Sequence, residues 1–167
     1  MPFTKGGVNL NLGSNVHVKE GYVNVDLEPW PGVNVVCDLE KPWPFESDSV
    51  DYIMAEDIFE HLHSPTHSMN EAWRVLKPGG ELYLRIPSTD GRGAFQDPTH
   101  VSFWNMNSLY YYSVDHPDYH FLYPSLIHCS FSIQAEHTAP NLLKVIWVNA
   151  ICKKVPHVKP VVSEGAS

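Results

Sequence analysis

The sequence lacks the features that define several large classes of protein. Its 167 residues include only three cysteines and no CxxC pair, which argues against a disulfide framework and favours reduced, buried thiols. No apolar run approaches the roughly 20 residues that span a bilayer. The chain does not open on a basic segment followed by an apolar one, as a signal peptide does. We therefore expect a soluble, cytoplasmic protein that does not enter a membrane.

Basic residues are also scarce. Lysine and arginine total 11 against 19 aspartates and glutamates, so the formal net charge is −8. An acidic domain repels polyphosphate at long range, and Lys153–Lys154 is the only adjacent basic pair. We therefore do not expect nucleic acid to be the primary partner.

The composition is that of one globular domain. Hydrophobic residues make up 43% of the chain and charged residues 18%, and 167 residues can bury one core but not two. The sequence from Pro156 onward has little to pack. We predict a single domain over residues 1–155, followed by a flexible tail over residues 156–167.

Short β-rich runs define the predicted strands. One helix is well signalled, because Ser64 suits the N-cap, Pro65 suits the first turn, and apolar residues from Met69 to Leu76 recur at helical spacing. Strand, helix and strand in this order imply a right-handed parallel crossover. We predict an α/β fold of three layers, in which a mainly parallel sheet ends in an antiparallel C-terminal hairpin. The predicted strands cover residues 8–12, 22–26, 33–38, 50–55 and 81–86, and the hairpin covers 127–137 and 142–153.

Candidate ligand-binding residues follow the predicted parallel strands, at whose carboxyl ends α/β sheets bind ligands. Gly13 would let a ligand approach the backbone closely. Asp26 could accept hydrogen bonds from both ribose hydroxyls of an adenosine. Asp38 could accept a hydrogen bond from the adenine amino group, with Leu39 covering the ring. The sequence therefore outlines a nucleoside pocket. The full set of candidate residues is Leu12, Gly13, Ser14, Asn15, Asp26, Leu27, Asp38, Leu39, Glu56 and Asp57.

A dinucleotide such as NAD is the obvious competitor for this pocket. Its fingerprint, G-x-G-x-x-G, opens a helix that holds the pyrophosphate, and Gly13 is followed by no second or third glycine at that spacing. Residues 14–21 are also too few for a crossover helix with its loops. The sequence therefore favours adenosine joined to a sulfonium amino acid, which needs no pyrophosphate anchor.

Several motifs together resemble those of a known family. They are LNLGS at 10–14, GYVNVD at 21–26, CDL at 37–39, EHL at 60–62, RVLKPGG at 74–80 and DPTH at 97–100. Over residues 8–104 the chain resembles the short class I S-adenosylmethionine-dependent methyltransferases of the "type 11" kind. The resemblance implies a Rossmann-like class I fold with a reduced first helix, S-adenosylmethionine as the cofactor, and methyl transfer to an unidentified small-molecule substrate.

One departure from that family supports an alternative function. Asn15 stands where the family usually carries a glycine, although asparagine tolerates the left-handed conformation better than most residues. The alternative is a non-catalytic, methyltransferase-like binding domain in which cofactor binding is weak or lost.

Methyl transfer from a sulfonium requires an aligned nucleophile and, for some acceptors, the removal of a proton. Histidine is the natural base near neutral pH. His100 follows the fifth predicted strand and is the candidate catalytic residue, with His61 as the other possibility and Asp97 as a candidate substrate-binding residue. The structural alternative is that residues 97–100 build a rigid turn in which His100 bonds the backbone.

The segment that would select the acceptor, residues 88–126, is predicted to be irregular apart from a helical turn at 108–112. It is rich in aromatic residues, among them Trp104, a candidate substrate-binding residue. Such residues either stack on a planar acceptor or close a core or a homodimer face.

Ten histidines raise the question of a metal. His61, His63 and His67 form one group, and His116 and His120 are spaced four apart. Zinc sites usually show fixed Cys/His pairs or a helical HExxH, and neither pattern is present. We therefore predict no metal site.

Overall fold

The computed structural model describes residues 7–116 and 122–157. Most of the predicted tail, residues 158–167, lies outside the described residues. The three cysteines are buried thiols, as predicted. The elements in chain order are β1 (Asn9–Leu12), β2 (Val23–Asp26), β3 (Val35–Val36), β4 (Val50–Glu56), the 3₁₀ turn η1 (Phe59–His61), α1 (Pro65–Val75), β5 (Leu76–Pro87), α2 (Gly93–Gln96), the 3₁₀ helix η2 (Met106–Tyr112), β6 (Phe131–His137) and β7 (Trp147–Lys154).

The strands form one sheet in the order β3-β2-β1-β4-β5-β7-β6. β1 to β5 pair in parallel, and β7 pairs antiparallel with both β5 and β6. The chain runs outward from β1 to β3 and then returns to β4 beside β1. The connections that leave β1 and β4 therefore diverge, which is the arrangement that opens a ligand crevice at the carboxyl ends of the strands. The mainly parallel sheet with a C-terminal antiparallel hairpin is confirmed.

Helix α1 begins at Pro65 as predicted and ends at Val75, so Leu76, which the predicted apolar stripe included, opens β5. Pro65 occupies the first turn, and the stripe that includes Met69 is buried. Ser64 is the N-cap residue, but its side chain makes no capping hydrogen bond. Instead its backbone N–H donates to Glu40 Oε1 at 3.0 Å, which places a carboxylate at the positive end of the helix dipole. None of the described helices has the length and apolar character that crossing a membrane requires.

The two faces of the sheet are covered differently. On one face, Leu10, Ile53 and Leu82 join side chains from α1, η1 and η2 in one apolar core. On the other face, residues 14–21 cross β1 and β2 as a loop, and the described residues place no helix there. The prediction of three full layers is therefore wrong for the described part of the chain, because the segment between β1 and β2 is too short for a crossover helix. The predicted reduction of the first helix is confirmed: a loop takes the place of that helix.

Two asparagines attach this loop to the sheet. Asn11 and Asn24 are paired in register on β1 and β2, and each is only 5% exposed. The Asn11 Nδ2 group donates to His17 O at 3.1 Å and to Asn24 Oδ1 at 2.8 Å. Asn24 also accepts from the Lys19 N–H at 2.8 Å and donates to Lys19 O at 3.1 Å. A helix would satisfy its own backbone groups, whereas this loop depends on side-chain amides from the strands.

Four strands differ from the prediction at a boundary. β3 covers two residues, β5 begins at Leu76 and not at Glu81, β6 begins at Phe131 and β7 begins at Trp147. The apolar run before β7 is not a strand, because Lys144 has a left-handed φ of +62° and Leu142 is fully exposed. The short helix α2 also interrupts a stretch that was predicted to be irregular, while the helical turn predicted at 108–112 is part of η2.

Candidate functional site

The turn after β1 is shaped by two residues in the left-handed region. Gly13 has φ +63° and Asn15 has φ +43°. A Cβ atom on Gly13 would lie 2.8 Å from Ile58 Cδ1, so only glycine fits between this turn and the segment after β4. Asn15 adopts the conformation expected of it, and the turn survives without a second glycine.

Asp26 joins this turn to the end of β2. Its Oδ2 accepts from the Asn15 N–H at 2.8 Å, and its Oδ1 accepts from the Glu28 N–H at 3.0 Å. A carboxylate offers about four acceptor positions, so each oxygen retains capacity for a ligand hydroxyl. The adjacent Leu27 side chain is 61% exposed. The end of β2 therefore presents a fixed carboxylate beside an accessible apolar side chain.

Asp38 continues this arrangement at the end of β3. Its Oδ1 accepts from the Glu40 N–H at 2.9 Å, which orients the carboxylate as at Asp26. Leu39, in contrast, is 6% exposed and packs in the core, as does Leu12 at 1%. The expected role of Leu39 as a ring cover is therefore not supported by its burial, and Leu27 is the leucine that a ligand can reach.

The two acidic residues at the end of β4 already have protein partners. Lys19 Nζ lies 3.6 Å from Glu56 Oε2, and Arg85 Nη1 lies 3.7 Å from Glu56 Oε1. Asp57 accepts hydrogen bonds from Arg85 Nη2 and, at 2.9 Å, from Trp147 Nε1. Both carboxylates therefore already have partners within the protein. A direct contact of Glu56 or Asp57 with a cofactor stays a prediction.

His100 lies in a buried cluster against η1. The backbone N–H groups of Val101 and Ser102 donate to Glu60 O at 2.8 Å and 3.0 Å, which fixes the segment after β5 against the turn after β4. The His100 and His61 rings consequently meet edge to face, with centroids 4.9 Å apart. His100 Nε2 lies 3.9 Å from Glu60 Oε1.

Glu60 is a candidate site residue that the sequence analysis did not single out. Its side chain is 2% exposed, and neither carboxylate oxygen has a hydrogen-bond partner within the described residues. Burial raises the pKa of Glu60 to about 8, because the protein interior disfavours the charged form. Glu60 is part of the EHL motif at 60–62, which indicates the family resemblance but not the burial of this carboxylate.

The structure gives the DPTH segment the role of a rigid turn. Asp97 Oδ1 accepts from the Thr99 N–H at 2.8 Å and from Thr99 Oγ1 at 2.6 Å. These two hydrogen bonds lower the pKa of Asp97, because they favour its charged form. His100 Nδ1 donates to Ala94 O at 3.1 Å, so this histidine does bond the backbone. Substrate binding by Asp97 and general-base catalysis by His100 stay predictions.

Trp104 belongs to the core. It is 4% exposed, it stacks on Tyr112 with centroids 6.0 Å apart, and its Nε1 donates to Ser102 Oγ at 3.0 Å. A groove of about 290 Å³ opens beside it. Within the groove, Thr66 Oγ1 and the Tyr112 hydroxyl are hydrogen-bonded at 3.1 Å. The groove is lined by Pro65, Thr66, Ser102, Phe103, Trp104, Ser108, Tyr111, Tyr112, Tyr123 and Ile127.

Comparison with known protein sequences gives a match to a family model and a partial match to a curated protein. A family model described as a methyltransferase domain matches residues 13–84. An uncharacterized 37.1 kDa protein in a Streptomyces fradiae transposon is 33% identical over 63 residues, which are 38% of this chain and 18% of that protein. The chain therefore spans less than a fifth of the length of this relative.

Several solved structures of methyltransferases have a similar fold. The Burkholderia thailandensis 1,6-didemethyltoxoflavin-N1-methyltransferase, solved with S-adenosylhomocysteine, superimposes with a TM-score of 0.62 at 13% identity, over 90% of this chain and 72% of that one. The Haemonchus contortus phosphoethanolamine N-methyltransferase 2, solved with phosphomonomethylethanolamine and S-adenosylhomocysteine, gives 0.64 at 15%, over 93% and 50%. A methyltransferase from Archaeoglobus fulgidus gives 0.60 at 17%, over 90% and 87%. At these identities the similarity establishes a common fold.

Proposed function

We propose that this chain is a class I methyltransferase that transfers a methyl group from S-adenosylmethionine to a small-molecule acceptor. The observation that carries the proposal is the pair of oriented carboxylates, Asp26 and Asp38, at neighbouring strand ends beside the Gly13 turn. The family match does not favour the alternative of a domain that has lost turnover.

The residues at these strand ends fit the adenosine part of the cofactor. Asp26 would accept hydrogen bonds from the ribose hydroxyls, and Asp38 would accept one from the adenine amino group. The exposed Leu27 would contact the adenine ring. Ser14 adds a buried hydroxyl that has no hydrogen-bond partner within the described residues. Such a hydroxyl costs about 1–3 kcal/mol, which a polar ligand group can recover.

When bound, S-adenosylmethionine supplies a methyl group that its sulfonium has already activated. The part left to the protein is to hold an acceptor in line and to exclude water. The groove beside Trp104 is suited to this, because its aromatic walls favour a planar or partly apolar molecule. The paired hydroxyls of Thr66 and Tyr112 can orient polar substituents on such a molecule.

Isothermal titration of the whole chain with S-adenosylmethionine and S-adenosylhomocysteine tests the cofactor step. We expect saturable binding at one site and an affinity at least tenfold lower for Asp26→Ala. Glu28→Ala is the matched control, because it removes a nearby exposed carboxylate but keeps the N–H that donates to Asp26. No binding at millimolar ligand, or equal affinities for the wild type and Asp26→Ala, would contradict the proposal.

Methyl transfer is tested separately. The chain is incubated with a metabolite extract and S-adenosylmethionine that carries a deuterated methyl group, and the products are analysed by mass spectrometry. We expect at least one small molecule to gain the deuterated methyl, and Asp26→Ala to produce much less of it. A chain that binds the cofactor only weakly and labels no molecule would support the binding-domain alternative.

A further inference from the structure

We propose that Glu60, His61 and His100 form a binding site for one divalent transition-metal ion, of the zinc or manganese kind. Each residue offers a ligand atom, and these atoms lie within 4.8 Å of one another. The proposal concerns residues that the cofactor does not use and does not rest on the proposed methyl transfer.

The buried carboxylate is the first observation that points to an ion. Buried carboxylates are normally paired, hydrogen-bonded or bound to a metal. Glu60 is almost completely buried, and both of its oxygens lack a hydrogen-bond partner within the described residues. The group that faces it at contact range is His100 Nε2, at 3.9 Å. A divalent cation would supply the contacts that these oxygens lack.

The orientation of the two histidines is the second, independent observation. His100 Nδ1 lies 3.1 Å from Ala94 O, and His61 Nδ1 lies 3.2 Å from Thr99 O. A carbonyl oxygen can only accept, and the Thr99 hydroxyl, 3.1 Å from His61 Nδ1, gives its own hydrogen to Asp97 Oδ1. Nδ1 therefore carries the hydrogen in both rings, and Nε2 keeps its lone pair. Histidines that bind metals are held in this way, with the second ring nitrogen donating to a carbonyl or a carboxylate.

The backbone brings the three ligands together before any ion arrives. Glu60 and His61 lie on η1, and His100 is held against them by the hydrogen bonds from Val101 and Ser102 to Glu60 O. Bonds of about 2.0–2.2 Å to zinc place ligand atoms ~3.4 Å apart, so the side chains must draw together by about 1 Å. His61 is only half-buried, so the site is open to solvent on the side of this residue.

Two imidazoles and one carboxylate define the kind of ion. Imidazole suits zinc and iron better than it suits magnesium or calcium, the carboxylate also suits manganese, and three protein ligands leave at least one position open. The same Nε2 lone pair of His100 cannot both bind an ion and take up a proton. The proposal therefore replaces a general-base role for His100.

The other histidines considered for a metal do not join this site. His63 has a 75% exposed side chain beside Glu40, and His67 Nε2 lies 2.9 Å from Lys41 O. His120 lies outside the described residues. The histidines grouped by the sequence are neighbours in the chain, whereas the fold brings Glu60 and His61 together with His100 from a distant segment.

Titration of the chelator-treated chain with Zn²⁺ and Mn²⁺, in competition with a chromophoric indicator, tests the site. We expect one ion to bind per chain, and Glu60→Gln and His100→Gln to lower the affinity at least tenfold. His63→Ala is the matched control and should bind as the wild type does. Absence of stoichiometric binding, or folded Glu60→Gln protein that binds as tightly as the wild type, would overturn the proposal.

A second measurement needs no variant, so it remains decisive if Glu60→Gln or His100→Gln fails to fold. Imidazole ¹⁵N resonances of the wild-type chain are followed as Zn²⁺ is added. We expect Nε2 of His61 and His100 to shift while both Nδ1 nitrogens keep their hydrogens. Shifts confined to other histidines would show surface binding and would overturn the proposal.

Discussion

At the β1–β3 end of the sheet, Asp26 and Asp38 are partly exposed carboxylates, each oriented by backbone N–H groups. At the β4–β5 end, Glu60, His100 and Trp104 are buried and fixed by contacts between distant segments. Replacing a side chain in the first region should weaken mainly the binding of the cofactor. The second is part of the core, so the same kind of change should affect folding as well.

The largest expected effect tests the buried region. Replacing Trp104 with alanine should lower the free energy of unfolding by about 3–5 kcal/mol, because it removes a ring that packs on Phe59 and Tyr112. Phe103→Ala is the control, because Phe103 is 53% exposed and should cost much less. Urea denaturation measures both values. Equal values for the two variants would show that Trp104 is not part of the core.

A medium effect is expected where the loop replaces the first helix. Asn11→Leu should cost about 1–3 kcal/mol of unfolding free energy, because the backbone of residues 14–21 loses a buried partner. Hydrogen exchange should also become faster in that loop. Asn107, which is exposed on η2, provides the control Asn107→Leu. An Asn11→Leu chain as stable as the control would contradict the account of the loop.

The smallest effect is expected at Asn15. Asn15→Gly should change the unfolding free energy by less than about 1 kcal/mol, because both residues adopt a left-handed φ. Asn15→Val should cost more, because a β-branched side chain is strained there. Both variants keep the N–H that donates to Asp26. Thermal unfolding distinguishes the two, and a valine variant as stable as the wild type would argue against the observed turn.

The exposed region could be predicted from the sequence because its evidence is local. Gly13, Asp26 and Asp38 each lie at the end of a short run with the pattern of a strand, and parallel strands bring such ends to one edge of the sheet. The loop that replaces the first helix also had a local sign, since residues 14–21 are few. The asparagines that satisfy this loop could not be recognised, because their partners are backbone atoms set only by the fold.

The buried region could not be predicted in the same way. Glu60 and His100 are far apart in the chain. They meet because the backbone N–H groups of Val101 and Ser102 donate hydrogen bonds to Glu60 O in the turn after β4. Trp104 looked like a binding residue because an aromatic side chain in an irregular segment suits either a ligand or a core. The apolar run around Leu142 likewise indicated a strand, although that residue is fully exposed.

The most direct test of the central claim is a ¹⁵N–¹H correlation spectrum of the chain titrated with S-adenosylhomocysteine. The account predicts saturable shifts that are largest at residues 13–15, 26–27 and 38–39, at the carboxyl ends of β1, β2 and β3. It would be contradicted by a spectrum that does not change at millimolar ligand, or by shifts confined to other parts of the chain.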